Sequence, residues 1–277
     1  MSTPSHPPHA LPLSPSPHPS PQVQRDRVYA EAMGQVASFR FDEGVTRVFP
    51  DMIARSVPGY AATLSAAAAL ARRFAQPHTR LYDLGCSRGA CLSAMAGALK
   101  GRLNEGPFEL VGVDTSPAML SACKRDLSAE GLPHEGINLE LIEGDIRETP
   151  LQDASVVVLN FTLQFVPVAD RLALLKRARE ALRPGGVLLL SEKIELEDPA
   201  LNALCIDLHH DFKRAQGYSD LEVAQKRDAL VDVLVPESIE AHRARLREAG
   251  FSAAEVWYQV FNFCSLVALT PTTQQRG

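Results

Sequence analysis

The stretch Tyr82-Asp83-Leu84-Gly85-Cys86-Ser87-Arg88-Gly89 decides the fold of this chain. An apolar run ends in an acidic residue, breaks at a glycine-rich turn and continues into the small-residue segment 90–96. This order predicts a strand, a tight loop and a helix N-terminus, the place where α/β sheets bind nucleotide-like ligands. A tight turn that binds nothing is the alternative.

The loop departs from the dinucleotide fingerprint G-x-G-x-x-G at its middle position, where Ser87 replaces glycine. A pyrophosphate needs that glycine because the backbone must approach it closely. S-adenosyl-L-methionine carries adenosine without a phosphate, and its cationic end suits a loop that follows Asp83. The loop therefore favours this ligand over a dinucleotide.

Strand-like segments recur along the chain. Seven of them have the composition of strands: 80–84, 108–113, 137–142, 155–160, 187–191, 254–258 and 263–269. The first five alternate with helical segments, which predicts a parallel, doubly wound sheet, and the last two predict an antiparallel hairpin. We expect an α/β fold with a mostly parallel seven-stranded sheet, similar to the Rossmann-like class I methyltransferases.

The first 28 residues differ in composition from the rest. They hold eight of the 20 prolines, several serines and three histidines, which predicts a disordered tail and no signal peptide. Residues 29–277 are expected to form one S-adenosyl-L-methionine-binding domain. Within it we expect an N-terminal helical cap over 29–75 and a helical insertion over 195–235.

The charge and the cysteine content of the chain indicate which partners and which cellular compartment to expect. Lysine and arginine number 28 against 33 acidic residues, so the net charge of −5 gives no basic footprint for direct nucleic-acid binding. No apolar stretch approaches the roughly 20 residues of a membrane helix. Five scattered cysteines fit neither a disulfide framework nor a zinc site, which favours the cytoplasm.

Asp114 follows the second predicted strand and is the clearest candidate for ribose recognition. A carboxylate there can accept hydrogen bonds from both ribose hydroxyls, and Thr115 would help to line the site. The alternative role is to cap the next helix, but Ser116 already serves that purpose.

Several ordered motifs together closely resemble the carboxy-S-adenosyl-L-methionine synthase family, over roughly residues 38–269. These motifs are VFPDMIARSVPGY at 48–60, YDLGCS at 82–87, EGDIR at 143–147, VLNFTLQF at 158–165, HHDFKR at 209–214, QKR at 225–227 and QVFNF at 259–263. The proline-rich tail lies outside this resemblance.

The resemblance implies a specific reaction, in which S-adenosyl-L-methionine and prephenate become carboxy-S-adenosyl-L-methionine and phenylpyruvate. Prephenate would lose carbon dioxide and hydroxide, the hydroxide would take a proton from the sulfonium methyl group, and the resulting ylide would capture the carbon dioxide. A second enzyme would use the product to carboxymethylate the wobble uridine of transfer RNA. The alternatives are a conventional small-molecule methyltransferase and a non-catalytic S-adenosyl-L-methionine-binding protein.

The resemblance also implies roles for residues of the first loop and its surroundings. Gly85, Cys86 and Ser87 would line the methionine end of the cofactor with their backbone. Tyr60 would close over the site, whereas without the resemblance it would be a core aromatic residue. Cys86 has no neighbouring base in the sequence, so we expect it to pack rather than to act as a nucleophile.

Further roles concern the adenine and the methionine portion. Asp145 would accept a hydrogen bond from the adenine amino group and Ile146 would pack on the ring, although an ordinary acidic loop is the alternative. Asn160, at the end of the fourth strand, would bind the cofactor, since a buried amide needs partners.

Arg227 would bind the added carboxylate of the product, a task suited to a planar bidentate donor. The resemblance makes it both the candidate catalytic residue and a cofactor ligand, while a solvated surface charge is the alternative. It also implies a homodimer in which the insertion packs between subunits. Adjacent His209 and His210 suggest a metal only weakly, because they point about 100° apart on a helix and a third ligand is missing, so no metal is expected.

Overall fold

The computed structural model describes residues 24–271, which contain a single seven-stranded sheet. Its strands are β1 (Arg80–Leu84), β2 (Phe108–Asp114), β3 (Ile137–Glu143), β4 (Ala154–Asn160), β5 (Leu182–Lys193), β6 (Ala253–Val260) and β7 (Phe263–Leu269). The spatial order is β3-β2-β1-β4-β5-β7-β6, parallel throughout except that β7 is antiparallel to both of its neighbours. The predicted fold class is confirmed.

Eight α-helices accompany these strands in the described part of the chain. They are α1 (Glu43–Ser56), α2 (Tyr60–Phe74), α3 (Ala90–Leu99), α4 (Pro117–Ala129), α5 (Val168–Ala181), α6 (Pro199–Ala215), α7 (Asp220–Leu230) and α8 (Ile239–Glu248). Ser116 caps α4, as the sequence predicts. Ser219 with Glu222 forms the capping box that begins α7, and the segment Ser219-Asp220-Leu221-Glu222 has the S-x-x-E pattern typical of such a helix start. No helix in this part is both long and apolar enough to cross a membrane.

The hydrophobic core lies on both faces of the sheet. Along β4, Val156 and Val158 pack on the face covered by α2, α3 and α4, while Val157 and Leu159 pack on the face covered by α5 and α8. Alternate side chains of a strand point to opposite faces, so a strand buried on both sides must be apolar throughout. This explains the continuous β-branched run in the sequence.

Strand β5 is longer than the predicted segment 187–191 at both ends. The register of its pairing with β4 shifts between Ala154 and Val156. This shift accommodates the segment Pro184-Gly185-Gly186, which lies near the start of β5, shortly after the end of α5. At its other end β5 continues to Lys193, which pairs with Phe263 of β7. The extension brings Lys193 to the carboxyl edge of the sheet.

The N-terminal segment and the helical insertion are joined to each other by hydrogen bonds. The Phe39 N–H donates to the Ala229 carbonyl at 2.9 Å, and the Tyr218 hydroxyl donates to Asp26 Oδ2 at 2.5 Å. Asp26 is only 2% exposed, so packed chain begins upstream of the predicted tail boundary at residue 28. Most of the predicted tail, residues 1–23, lies outside the described residues.

Candidate active site

A cavity of about 430 Å³ opens at the carboxyl ends of β1, β2, β4 and β5, and residues of α1, α6 and α7 complete its wall. This is the position and size expected for a small-molecule site in an open α/β sheet. All ten site residues proposed from the sequence line it: Tyr60, Gly85, Cys86, Ser87, Asp114, Thr115, Asp145, Ile146, Asn160 and Arg227. The structure brings them together, and their individual roles stay predictions.

The first loop is held against β2 by its own backbone. The N–H groups of Gly85 and Cys86 donate to the Val113 carbonyl at 2.8 and 3.0 Å. Gly85 has a φ of 85°, and a Cβ there would lie 2.5 Å from Thr162 Oγ1. Only glycine fits this left-handed position, because any side chain would be strained and would collide with Thr162.

Cys86 is buried and belongs to the core on the α3 side of the sheet. A hydrogen bond with Cys123, together with burial, raises the pKa of its thiol well above the ordinary value. A thiol held in the neutral form is a poor nucleophile. The burial of Cys86 and the raised pKa of its thiol therefore favour the packing role expected from the sequence.

Asp114 is fixed by backbone donors from both sides. The Ser87 N–H donates to Oδ2 and the Ser116 N–H donates to Oδ1, each at 2.8 Å. Burial raises the pKa of this carboxyl group, and these amides partly offset the rise. The carboxylate is thus oriented before any ligand binds, with Thr115 beside it in the cavity wall.

Asp83, at the penultimate position of β1, is the second carboxyl group of the cavity and is only 2% exposed. Burial, and next the charge of Asp114, raises its pKa to about 7. A cationic ligand placed beside Asp83 would relieve this penalty, because an opposite charge favours the ionised form.

Asp145 and Ile146 line the side of the cavity beyond β3. Both oxygens of Asp145 accept from the Arg147 guanidinium, with Nε 2.9 Å from Oδ2 and 3.1 Å from Oδ1, and this pairing lowers the pKa of the carboxyl group. Asp170 pairs with the same arginine. Asp145 is therefore a charged member of a small ion-pair network, while Ile146 is a buried apolar neighbour.

Asn160, at the end of β4, carries an unsatisfied polar atom. Its Oδ1 is buried and has no hydrogen-bond partner among the described residues. Buried polar groups in folded proteins are nearly always paired, so an unpaired one in a cavity wall indicates a missing donor. The ammonium or hydroxyl groups of S-adenosyl-L-methionine are donors of the required kind.

Tyr60 begins α2 beside Phe161, with 6.4 Å between the ring centroids. Burial raises the pKa of its phenol well above the ordinary value, so the ring remains neutral. The position is compatible with both sequence-based interpretations, a packed aromatic residue and a residue that contacts the ligand.

Arg227 lines the cavity from α7 but does not point a free guanidinium into it. Its Nε and Nη2 donate to Asp228 Oδ1 at 3.0 and 2.9 Å, and the side chain is 59% exposed. Arg227 is thus exposed in the single chain, as Thr115 is, whereas the other proposed site residues are buried or half-buried.

Comparison with known proteins identifies the family. A methyltransferase domain model matches residues 81–186, which run from β1 into β5. The carboxy-S-adenosyl-L-methionine synthase of Aliivibrio salmonicida (strain LFI1238) is 48% identical over 244 residues, 88% of this chain and 98% of that protein. The enzyme of the same name from Geobacter sp. (strain M21) is 48% identical over 243 residues, 88% of this chain and 97% of that protein.

This chain belongs to the carboxy-S-adenosyl-L-methionine synthase family. Solved structures support the fold of this family member. Human N-acetylserotonin methyltransferase in complex with S-adenosylmethionine aligns with a TM-score of 0.54 and 16% identity over 83% of this chain and 56% of that chain. At this identity the likeness concerns the fold alone.

A group of basic residues in the cavity wall of this synthase-family chain was not assigned to the site from its sequence. The group comprises Lys193, His209, His210, Lys213 and Lys226, from β5, α6 and α7. His209 is buried and its Nε2 lies 2.8 Å from the Ser56 carbonyl oxygen, so the structure gives this ring a packing contact. Within residues 24–271, no cluster of three or more His, Cys, Asp or Glu side chains is arranged to hold a metal ion.

Proposed function

We propose that this chain converts S-adenosyl-L-methionine and prephenate into carboxy-S-adenosyl-L-methionine and phenylpyruvate. One observation carries the proposal: identity of 48% over 98% of the length of a protein named for this product. The cavity supports it, because the ten site residues proposed from the sequence, most of them through the family resemblance, line one cavity.

In this proposal, S-adenosyl-L-methionine lies across the carboxyl ends of β1, β2 and β4. Asp114 accepts hydrogen bonds from the ribose hydroxyls, and Ile146 packs on the adenine while Asp145 accepts from its amino group. The methionine portion lies against the Gly85–Ser87 loop, and the unsatisfied Oδ1 of Asn160 is the supporting observation for a donor at this end.

The reaction needs a base that accepts a proton from the methyl carbon, and a site that retains the neutral carbon dioxide until it reacts. Loss of the ring carboxylate of prephenate as carbon dioxide, with departure of the ring hydroxide, makes the ring aromatic. The hydroxide takes one proton from the methyl carbon and becomes water, and that carbon forms its new bond to carbon dioxide. Aromatic side chains in the cavity wall, including Phe41, Phe161 and Phe165, provide apolar surface that retains carbon dioxide near the methyl carbon.

The homodimer and the role of Arg227 belong to the same proposal. Leu201, Leu204 and Leu208 lie on one face of α6 and are exposed in the single chain. Leucines at this helical spacing form an apolar stripe that a second copy of the insertion could cover. Dimerisation would also bring new surroundings to Arg227, which we propose binds the carboxylate of the product. Light scattering of the purified protein should give the mass of two chains.

The product would serve as the carboxymethyl donor for wobble-uridine modification of transfer RNA by a second enzyme. The acidic net charge of −5 supports a division of labour in which this chain does not bind the nucleic acid itself. We place the protein in the cytoplasm, and its five free cysteines support a reducing compartment.

The direct test is to incubate the protein with S-adenosyl-L-methionine and prephenate and to analyse the products by mass spectrometry. The proposal predicts carboxy-S-adenosyl-L-methionine and phenylpyruvate in equal amounts. A methylated acceptor with S-adenosylhomocysteine would instead favour a conventional methyltransferase. Binding without any turnover would favour a binding protein.

A further inference from the structure

The basic residues of the cavity wall converge from three separate elements. Lys193 ends β5, Lys213 lies in the last turn of α6, and Lys226 lies on α7, yet all three line the same cavity. Lys213 is 6% exposed and Lys226 is 7% exposed. Lysine is rarely buried unless it is paired, so this arrangement requires an explanation.

The three lysines differ in how they are paired. Lys226 Nζ donates to Ser56 Oγ at 2.9 Å and lies 3.9 Å from Asp26 Oδ2. In the part of the chain that the structure describes, neither Lys193 nor Lys213 forms an ion pair or a side-chain hydrogen bond through Nζ. The side chain of Lys213 is buried and that of Lys193 is partly buried, while both residues line the cavity. A largely desolvated lysine without a partner from its own chain indicates an anion supplied from outside the chain.

The electrostatic environment of Lys213 points in the same direction. Burial, and then the charges of Lys226 and Lys193, lowers the pKa of Lys213 to about 7. The pKa of Lys193 is lowered by burial as well. A bound carboxylate would remove this penalty by restoring the charged form of both lysines.

The proposed substrate carries two carboxylates with opposite fates. The ring carboxylate loses its charge when it leaves as carbon dioxide, so a cation beside it would stabilise the starting state and oppose the reaction. The carboxylate of the 2-oxo acid side chain keeps its charge from prephenate to phenylpyruvate. A cation can therefore hold the retained carboxylate without a cost to catalysis.

We propose that Lys213 and Lys193 form the subsite that binds the retained 2-oxo carboxylate of prephenate, an inference that rests on the proposed function. The subsite orients the ring with its departing carboxylate toward the aromatic wall and the methyl carbon. Lys213 and Lys193 thereby act as specificity-determining residues for a 2-oxo acid.

The methionine carboxylate of S-adenosyl-L-methionine is a second carboxylate that the two lysines could bind. The two sources separate in binding experiments, because phenylpyruvate carries the retained carboxylate and no part of the cofactor. If the lysines bind the substrate, their substitution weakens the binding of phenylpyruvate and prephenate. If they bind the cofactor, their substitution weakens the binding of S-adenosyl-L-methionine.

The test compares Lys213→Met, which keeps a long apolar side chain without the charge, with Lys213→Arg, which keeps the charge. Lys176→Met is the matched control, because Lys176 is exposed on α5 and pairs with Glu248 at the surface, at 3.5 Å. For each protein we would measure the KM for prephenate, the Kd of phenylpyruvate and the Kd of S-adenosyl-L-methionine. Circular dichroism reports whether each variant is folded.

Loss of a charged hydrogen bond predicts about a 10- to 150-fold rise in the prephenate KM and phenylpyruvate Kd of Lys213→Met. The Kd of S-adenosyl-L-methionine should stay near the wild-type value, and Lys213→Arg should recover part of the loss. Unchanged prephenate and phenylpyruvate values, or an equal loss of S-adenosyl-L-methionine binding, would overturn the subsite. If Lys213→Met does not fold, Lys193→Met is held to the same criteria.

Product formation by the wild-type protein tests the proposed function separately from the lysine subsite. Wild-type protein that forms carboxy-S-adenosyl-L-methionine, with Lys213→Met unchanged in its prephenate KM, would leave the function standing and overturn the subsite. Wild-type protein that forms none from prephenate would overturn both.

Discussion

The Ser87 amide donates to Asp114 Oδ2 at 2.8 Å, which couples the first loop of the sheet to the carboxylate at the end of the neighbouring strand. Because β1 and β2 are parallel neighbours, their carboxyl ends lie side by side at the same edge. The loop and the carboxylate therefore form one preorganised surface for an adenosyl group.

Asp114→Ala should weaken the binding of S-adenosyl-L-methionine by about 10- to 150-fold, since a hydrogen bond to a charged group contributes about 1.5–3 kcal/mol. Isothermal titration calorimetry measures the effect. Asp153→Ala is the control, because Asp153 pairs with Arg183 on the surface. An unchanged affinity in Asp114→Ala would remove Asp114 from the binding site.

Binding of S-adenosyl-L-methionine should release a proton near neutral pH. Asp83 in the free protein has a pKa of about 7, raised mainly by burial, and a nearby cation would lower it. Calorimetry in two buffers with different ionisation enthalpies measures the proton release, which Asp83→Asn should abolish. Equal release from wild type and variant would contradict a cationic group beside Asp83.

The same pKa shift predicts the pH dependence of stability. Between about pH 4 and pH 7 the folded protein holds a proton on Asp83 that the unfolded chain loses, so this residue makes the free energy of unfolding fall as pH rises. Chemical denaturation at several pH values should show a smaller fall in Asp83→Asn than in wild type.

Gly85→Ala should destabilise the protein by about 1–3 kcal/mol, through the left-handed backbone and a collision with Thr162. Gly97→Ala is the matched control, because Gly97 lies within α3 and an added Cβ would meet no atom within 4 Å. The control should be neutral or stabilising by up to about 1 kcal/mol. Similar losses in thermal or chemical denaturation of both variants would contradict the close approach at Gly85.

Arg227→Ala should weaken the binding of carboxy-S-adenosyl-L-methionine far more than that of S-adenosyl-L-methionine, because only the former carries the added carboxylate. Arg247→Ala, which removes an exposed arginine paired with Glu240, should affect neither ligand. The two dissociation constants should be measured on the dimer, since Arg227 is largely exposed in the single chain. Parallel losses for both ligands would count against the assigned role.

Local signals in the sequence were sufficient for much of the fold. The capping serines Ser116 and Ser219 predict the starts of α4 and α7, and the apolar run of β4 predicts a strand buried on both faces. The sequence also predicts the position of Asp114. An apolar strand is followed by Asp114-Thr115-Ser116-Pro117, and the Ser-Pro pair begins a helix, so the carboxylate must lie at the carboxyl edge of the sheet.

The lysine group could not be predicted in the same way. Lys213 and Arg214 both lie in the last turn of α6, where any basic residue is favoured by the helix dipole. In the structure Arg214 pairs with Asp211 and Asp220 on the surface, whereas Lys213 is buried against the cavity. Only the packing of α6 in three dimensions distinguishes these two neighbours.

The partner of Asp145 was missed for a related reason. Arg147 lies two residues away in the sequence, and a spacing of two does not by itself predict contact in an irregular segment. The turn after β3 brings the two side chains together and adds Asp170 from α5. The pairing depends on the backbone conformation of this loop, which the sequence Glu143-Gly144-Asp145-Ile146-Arg147 does not determine by itself.

The most direct test of the account uses prephenate carrying ¹³C in its ring carboxylate, with unlabelled S-adenosyl-L-methionine. If this cavity transfers that carboxyl carbon to the cofactor's methyl carbon, the label will be found in carboxy-S-adenosyl-L-methionine and will be absent from phenylpyruvate. Label recovered only as free carbon dioxide, with S-adenosyl-L-methionine unchanged or converted to S-adenosylhomocysteine, would contradict the account.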